Sequence, residues 1–429
     1  MVRKLLNFIK TTPIFDTAMV SGSIFIASFL AYLLQFYLGR SLSVSDYGDF
    51  GALLSLSYLI GVPATVFGLS LTKQVSEVYA THKDLIPAYF TKIFILSVIP
   101  GVLLFILLSG LSSFFATYFN LNNYPVLIAF SISAGFSFFS LVAPSFLQGL
   151  QRFKSYSVFV IVYNIFRTVI PVVFVFLGYR LIGVFFGLAL AAFFGFLYSY
   201  VHLKDIFFKK IQTSFEDNTI LKKYIYNLFS FSVPVLLVNL SMMALNNIDV
   251  LMVKRYFSPE EAGHYVALVT VGKVLLFGAG TVATVMYPML TAEFAKRTLT
   301  LSKFFLYFTL QVVVVVVSIL IFSLFPNLIV GVMFGSKFLP IVSYLPLFSV
   351  FMGLYVLVNF MVLFFLSISR SKVFLIQIPF VLGQFYLLNS NISSITSYIT
   401  INIAISFALL AVLLLYGYIQ YSTWRSLKK

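Results

Sequence analysis

LGRSLSVSDYGDF, from Leu38 to Phe50, returns in altered form as VKRYFSPEEAGHY, from Val253 to Tyr265. The two stretches align without a gap. Arg40 meets Arg255, Ser43 meets Ser258 and Gly48 meets Gly263. Asp46 meets Glu261, Leu42 meets Phe257 and Phe50 meets Tyr265. The offset is close to half of the 429-residue chain. It also pairs Pro125 with Pro340 and lays the apolar runs of one half over those of the other. A self-match at a fixed period marks a duplicated architecture. In membrane transporters such repeats generate the fold.

Composition sets the class. Hydrophobic residues make up 61% of the chain and charged ones 9%, against about 25% charged in a soluble domain. The long apolar runs predict membrane-spanning helices rather than barrel strands. Spans are expected at 17–39, 47–71, 91–112, 124–149, 156–178 and 181–203, then at 228–254, 262–290, 304–325, 340–367, 372–388 and 395–420. The fold class is therefore all-α and polytopic: about 12 spans in two six-helix lobes, arranged as a parallel 6+6 repeat. The lobes are 1–203 and 228–429, joined by a cytoplasmic linker at 204–227. The linker mixes Lys209, Lys210, Glu216, Asp217, Lys222 and Lys223 and is expected to be an amphipathic surface helix plus a flexible joint.

The net charge of +16 raises nucleic acid as a partner. Its distribution argues otherwise. With the N-terminus inside, 21 of the 28 Lys and Arg fall on the inner side and five on the outer. That bias places both termini in the cytoplasm of a cell-membrane protein and accounts for most of the charge. Arg3, Lys4 and Lys10 precede an apolar run of about 23 residues with no small-residue cleavage site, so a retained span is expected rather than a signal peptide.

The chain has no cysteine, which removes disulfides and thiolate chemistry. His82, His202 and His264 are scattered and read as loop or helix-end residues. No P-loop is present, so the chain carries no ATPase of that type. Prolines such as Pro63, Pro171, Pro234 and Pro379 punctuate the spans and bend helices.

Charges inside the hydrocarbon carry the sharpest signal, because each costs about 2.5–3.5 kcal/mol to insert. Arg167 lies mid-span, with Asn164, Thr168 and Pro171 on its face. Lys273 shares a stripe with Thr270, Gly280, Thr284 and Tyr287. Asp249 lies in line with Asn246 and Asn239, and Asp16 opens the first span. A buried guanidinium without an acidic neighbour suits a phosphate, so Arg167, Lys273 and Asn164 are substrate-binding candidates. Asp249 and Asp16 are coupling or ion-pair candidates, and Asp249 has Lys273 at a similar depth. For the repeated outer turn (Arg40, Arg255, Gly48 and Gly263) a structural role is favoured, with Ser43 and Ser258 near helix starts.

GRSLSVSDYGDFGALLSLSYL after the first span and NNIDVLMVKRYFSPEEAGHYVAL at the seventh resemble the polysaccharide transport family. These are Wzx-type lipid-linked oligosaccharide, or O-antigen, flippases of the multidrug/oligosaccharidyl-lipid/polysaccharide exporter superfamily. The resemblance implies a V-shaped pair of six-helix lobes around a cationic cavity. It implies an isoprenoid-pyrophosphate-linked glycan moved from the inner to the outer leaflet, with basic residues meeting the pyrophosphate. Arg167 and Lys273 fit that role here, and the acidic residue of the span-seven motif is Asp249. The expected partners are the lipid-linked glycan, membrane lipid, a glycan polymerase and glycosyltransferases, with no nucleic acid. No cofactor or metal is expected, and proton or sodium coupling stays open. Two alternatives remain: a multidrug–cation antiporter of the same superfamily, which needs acidic cavity residues, and a membrane glycan polymerase, which needs larger outer loops.

Overall fold

A computed structural model describes residues 13–121, 124–207, 215–296 and 301–426. Arg3, Lys4, Lys10, Lys209, Lys210, Arg297, Lys428 and Lys429 of the charge count lie outside the described residues. Within these residues all regular structure is helical, and twelve helices are long and apolar enough to cross a membrane.

The main elements are α1 (Pro13–Ser41), α2 (Val44–Thr81), α3 (Ile86–Gly110), α4 (Tyr124–Ser140), α5 (Val142–Gly149), α6 (Phe153–Phe176) and α7 (Arg180–His202). They continue with α8 (Phe215–Leu245), α9 (Ile248–Tyr256), α10 (Pro259–Ala279), α11 (Thr281–Ala295) and α12 (Leu301–Leu324). The chain ends with α13 (Leu345–Ser367), α14 (Phe374–Ser390) and α15 (Ile395–Ser426). Helix α2 has 38 residues, about 57 Å at 1.5 Å per residue. That exceeds a hydrocarbon core of about 30 Å. The hydropathy-based boundaries 47–71 were short because the polar last turns of α2 continue the helix without being apolar.

Two boundaries differ for physical reasons. Residues 340–343, expected at the start of the tenth span, belong to the 3-10 segment Ser336–Ser343, and the α-helix starts at Leu345. The expected seventh span 228–254 is not one helix. It breaks at Asn246 and Asn247, so Asp249 sits on the separate short helix α9 and not in line with Asn239.

The chain forms two compact units, one of residues 1–42 and 60–233, the other of 43–59 and 234–429. The first is held by an apolar core. Leu71 and Val75 of α2, Tyr89 and Phe90 of α3 and Phe146 of α5 are buried together, with Phe90 and Phe146 edge to face at 4.9 Å. Leu221, Tyr224 and Leu228 join this core. Their steps of three and four put them on one helical face, so the described part of the linker after residue 218 is packed rather than loose. In the second unit α13 packs against α10, α12 and α15, and α14 packs against α15. Both α2 and α8 change unit part-way, at 59/60 and 233/234, beside Pro63 and at Pro234.

Candidate functional site

The break between α8 and α9 opens the best-defined polar site, and it lies within the second unit. A helix end leaves its last carbonyls without partners, which membrane interiors do not forgive. Here side chains supply them. Tyr355 donates to the Met242 carbonyl at 2.9 Å, Asn247 to Met243 at 2.8 Å and Gln384 to Leu245 at 3.0 Å. Asn247 also accepts from the Lys273 ammonium at 3.0 Å.

Asp249 follows the break and is 1% exposed. Its Oδ2 accepts from the Tyr265 hydroxyl at 2.7 Å and the Asn402 amide at 3.2 Å. The Asn402 oxygen accepts in turn from Gln384 at 2.9 Å. Among the described residues, Asp249 Oδ1 has no hydrogen-bond partner, nor do Asn246 Oδ1 and Gln384 Oε1. Asp249 and Lys273 form no direct ion pair; both flank Asn247 and interact through space. Lys273 also lies over the Tyr58 ring, 5.0 Å from its centre, a cation–π contact. The acidic centre therefore joins the consecutive helices α9 and α10 to the α14–α15 pair, more than a hundred residues further along the chain. Thr284 and Tyr287 of the expected Lys273 stripe are exposed, whereas Thr270 is buried and bonded to Tyr47 at 3.3 Å. The helix restarts after Gly280, which turns the stripe.

The repeated turn builds a second contact in the same unit. Ser43 caps α2 by accepting from the Asp46 N–H at 3.0 Å, and Ser258 caps α10 by accepting from the Glu261 N–H at 3.3 Å. A Cβ on Gly48 would lie 2.8 Å from the Gly263 nitrogen, and one on Gly263 would lie 1.9 Å from the Val44 carbonyl oxygen. Only glycine lets the two helices approach this closely. Gly51 meets Val266, and Tyr58 meets Lys273. Each of these is a pair of repeat equivalents touching its own counterpart. Such self-contact marks a local two-fold axis between α2 and α10. Asp49 and Lys254 break the symmetry, since their counterparts are His264 and Gly39. They form an ion pair at 2.5 Å with side chains 7% and 2% exposed. The sequence puts Lys254 at the outer end of the expected seventh span and does not single out Asp49, which follows the repeated Gly48. His264 instead donates to the Lys337 carbonyl at 3.2 Å.

Arg167, Asn164 and Asp16 belong to the first unit and are not part of the Asp249 cluster. At about 100° per residue, Arg167 falls opposite the exposed Ile165, Val169, Val173 and Phe176. On the wheel it is about 40° from Pro171, against which Gly187 of α7 packs, and about 100° from Thr168, which donates to Leu30 of α1 at 3.2 Å. Among the described residues Arg167 has no ion pair or hydrogen bond. Asn164 donates to its own helix at Val160. Arg40 is exposed and Arg255 stacks on Tyr256 at 4.9 Å. Outside the spans, Arg152 binds Asp205 at 2.5 Å. The hydrogen bond from Arg152 holds the Asp205 carboxyl below its usual range. Among the described residues no group of three or more His, Asp or Glu is placed to hold a metal.

Comparison with known proteins agrees with this architecture. A family described as "Polysaccharide biosynthesis protein" matches residues 16–294. No curated protein matches the sequence. Among solved structures, the fold is similar to an inward-facing multidrug resistance MATE family transporter of the MOP superfamily. That likeness has a TM-score of 0.77 at 13% identity, covering 92% of this chain and 95% of that one. It is also similar to the lipid II flippase MurJ in an inward closed conformation, at TM-score 0.70 and 14% identity over 93% and 87% of the two chains. A MOP superfamily transporter from Pyrococcus furiosus, reported to have a binding pocket of reversed polarity, matches at TM-score 0.65 and 16% identity over 96% of each. With twelve candidate spans among the described residues and a family match over more than half its length, the chain belongs to the polysaccharide biosynthesis protein family and is a multi-pass membrane protein whose fold is shared with a multidrug transporter and a lipid II flippase.

Proposed function

We propose that the protein is a flippase that carries an isoprenoid-pyrophosphate-linked oligosaccharide from the inner to the outer leaflet by alternating access. The observation that carries this reading is the family match, on a fold shared with a lipid II flippase. A pyrophosphate cannot cross hydrocarbon uncompensated. Lys273, held by Asn247 and Tyr58, and Arg167, without a protein counter-charge, are the cations assigned to meet it. Asp249 is the assigned coupling group. Its Oδ1, unpartnered among the described residues, is the oxygen left to take up a proton or to ligate a cation.

The test follows the lipid-linked oligosaccharide in spheroplasts of a strain lacking the protein, complemented with variants. A hydrogen bond to a charged group is worth about 1.5–3 kcal/mol, which is roughly 10–100-fold. Arg167→Ala and Lys273→Ala should each lower delivery of glycan to the outer face by that factor, with the substrate retained inside. Normal delivery in both variants would reject their role. The likeness to multidrug transporters favours a second reading, a multidrug–cation antiporter. Drug resistance conferred on an efflux-deficient strain, with no effect on the glycan, would select it.

A further inference from the structure

Helix α14 is built inside out. Its buried residues are Gln377, Gln384 and Leu388, while Leu375, Leu382, Phe385 and Tyr386 are exposed. Gln377 and Gln384 are seven residues apart, two turns on one face and about 10.5 Å along the axis. Gln384 has a structural task, bonding the Leu245 carbonyl and Asn402. Gln377 has none. It is fully buried, and among the described residues neither atom of its amide has a partner.

Helix α15 presents a matching face. Asn402 and Ser406 are buried one turn apart, and the Gln384–Asn402 bond sets the antiparallel register of the two helices. In that register Ser406 falls between the levels of Gln384 and Gln377. The buried polar groups fall in a file along α14 and α15. Hydrogen bonds join Asp249 to Asn402 and Asn402 to Gln384, and Ser406 and Gln377 follow at about 6 Å and about 10.5 Å along the helix axes. Gln377 lies one turn from the Ser371–Val373 turn, next to Arg370 and Lys372. A dry membrane interior does not tolerate so many unmade hydrogen bonds, since each unsatisfied group costs about 1–3 kcal/mol. Buried polar groups without protein partners are the places where internal water sits.

We propose that this file is a hydrated conduit through the second unit, conducting a proton or monovalent cation between Asp249 and the membrane face that bears Arg370 and Lys372. The conduit's role as an ion path rests on the reading of Asp249 as the coupling group. Its hydration does not.

The natural chain has no cysteine, so a single introduced thiol reports water directly. The variants Gln377→Cys and Ser406→Cys are placed in oriented membrane vesicles. A small cationic methanethiosulfonate reagent is added at the face carrying Arg370 and Lys372. The reference is Leu388→Cys, on the same helix face and equally buried. A hydrated path should let the thiols of Q377C and S406C react at least about 10-fold faster than that of L388C, because only a solvated thiolate is nucleophilic. Rates no faster than the reference in both variants would overturn the proposal. Ser406→Cys changes one oxygen to sulfur and keeps the test valid if Gln377→Cys fails to fold. Failure of the coupling reading shows separately, as Asp249→Asn transport with unaltered sodium and pH dependence.

Discussion

Asn247 explains why a membrane-buried break can exist. One side chain satisfies the Met243 carbonyl and the Lys273 ammonium, at 2.8 Å and 3.0 Å. Remove it and two buried groups lose partners together. Asp249, two residues on, accepts from Tyr265 and Asn402 at one oxygen, which fixes the position of its carboxyl. Asp205 shows the opposite environment. The side chains of Arg152 and Asp205 are 36% and 54% exposed, so their pair contributes at most about 1 kcal/mol. Because the Asp205 carboxyl is lowered in the folded protein, that contribution is full above the ordinary carboxylate range. It is lost as pH falls through the lowered value. Asp205→Asn should therefore lower the melting temperature slightly at neutral pH, and the difference from the parent should vanish in acid. Thermal melts in detergent at several pH values check this; a difference that grows towards low pH would contradict it.

Among the elements, α2 and α10 depend on their glycines. A methyl at Gly263 would lie 1.9 Å from the Val44 carbonyl oxygen, which is backbone and cannot swing aside. Overpacking of this kind costs about 1–3 kcal/mol. Gly263→Ala should lower thermal stability by that amount, whereas Gly22→Ala, with open space around it, should be neutral. Equal melting temperatures for both would show that α2 and α10 do not rely on this approach. The sequence made Gly48 and Gly263 visible because the repeat aligned them. It could not show that they touch, since an alignment relates positions without placing them. The Asp49–Lys254 pair and the Gln384–Asn402–Asp249 bonds were hidden for the same reason: their members lie on elements far apart in the chain, and no periodicity links them. The break at Asn246 was missed because a hydropathy window averages over two adjacent asparagines.

At the scale of the molecule, the twelve spans and the membrane class were legible from apolar run lengths, because water-free hydrocarbon allows few other structures. The division into units was less so. The chain changes unit inside α2 and α8, at 59/60 and 233/234, and continuous helices hide such boundaries from a reading based on loops. Around this frame the polar groups gather in one unit: Lys273 beside the break, Asp249 behind it and the file to Gln377 beyond.

Purified protein reconstituted into liposomes with a fluorescently labelled, isoprenoid-pyrophosphate-linked oligosaccharide tests the central claim most directly. A membrane-impermeant glycan-cleaving enzyme added outside reads how much substrate has reached the outer leaflet. With the protein present, the cleaved fraction should rise past the outer-leaflet share towards completion. A fraction that stays where protein-free liposomes leave it, with the vesicles intact and an imposed sodium or proton gradient of either sign, would contradict the account.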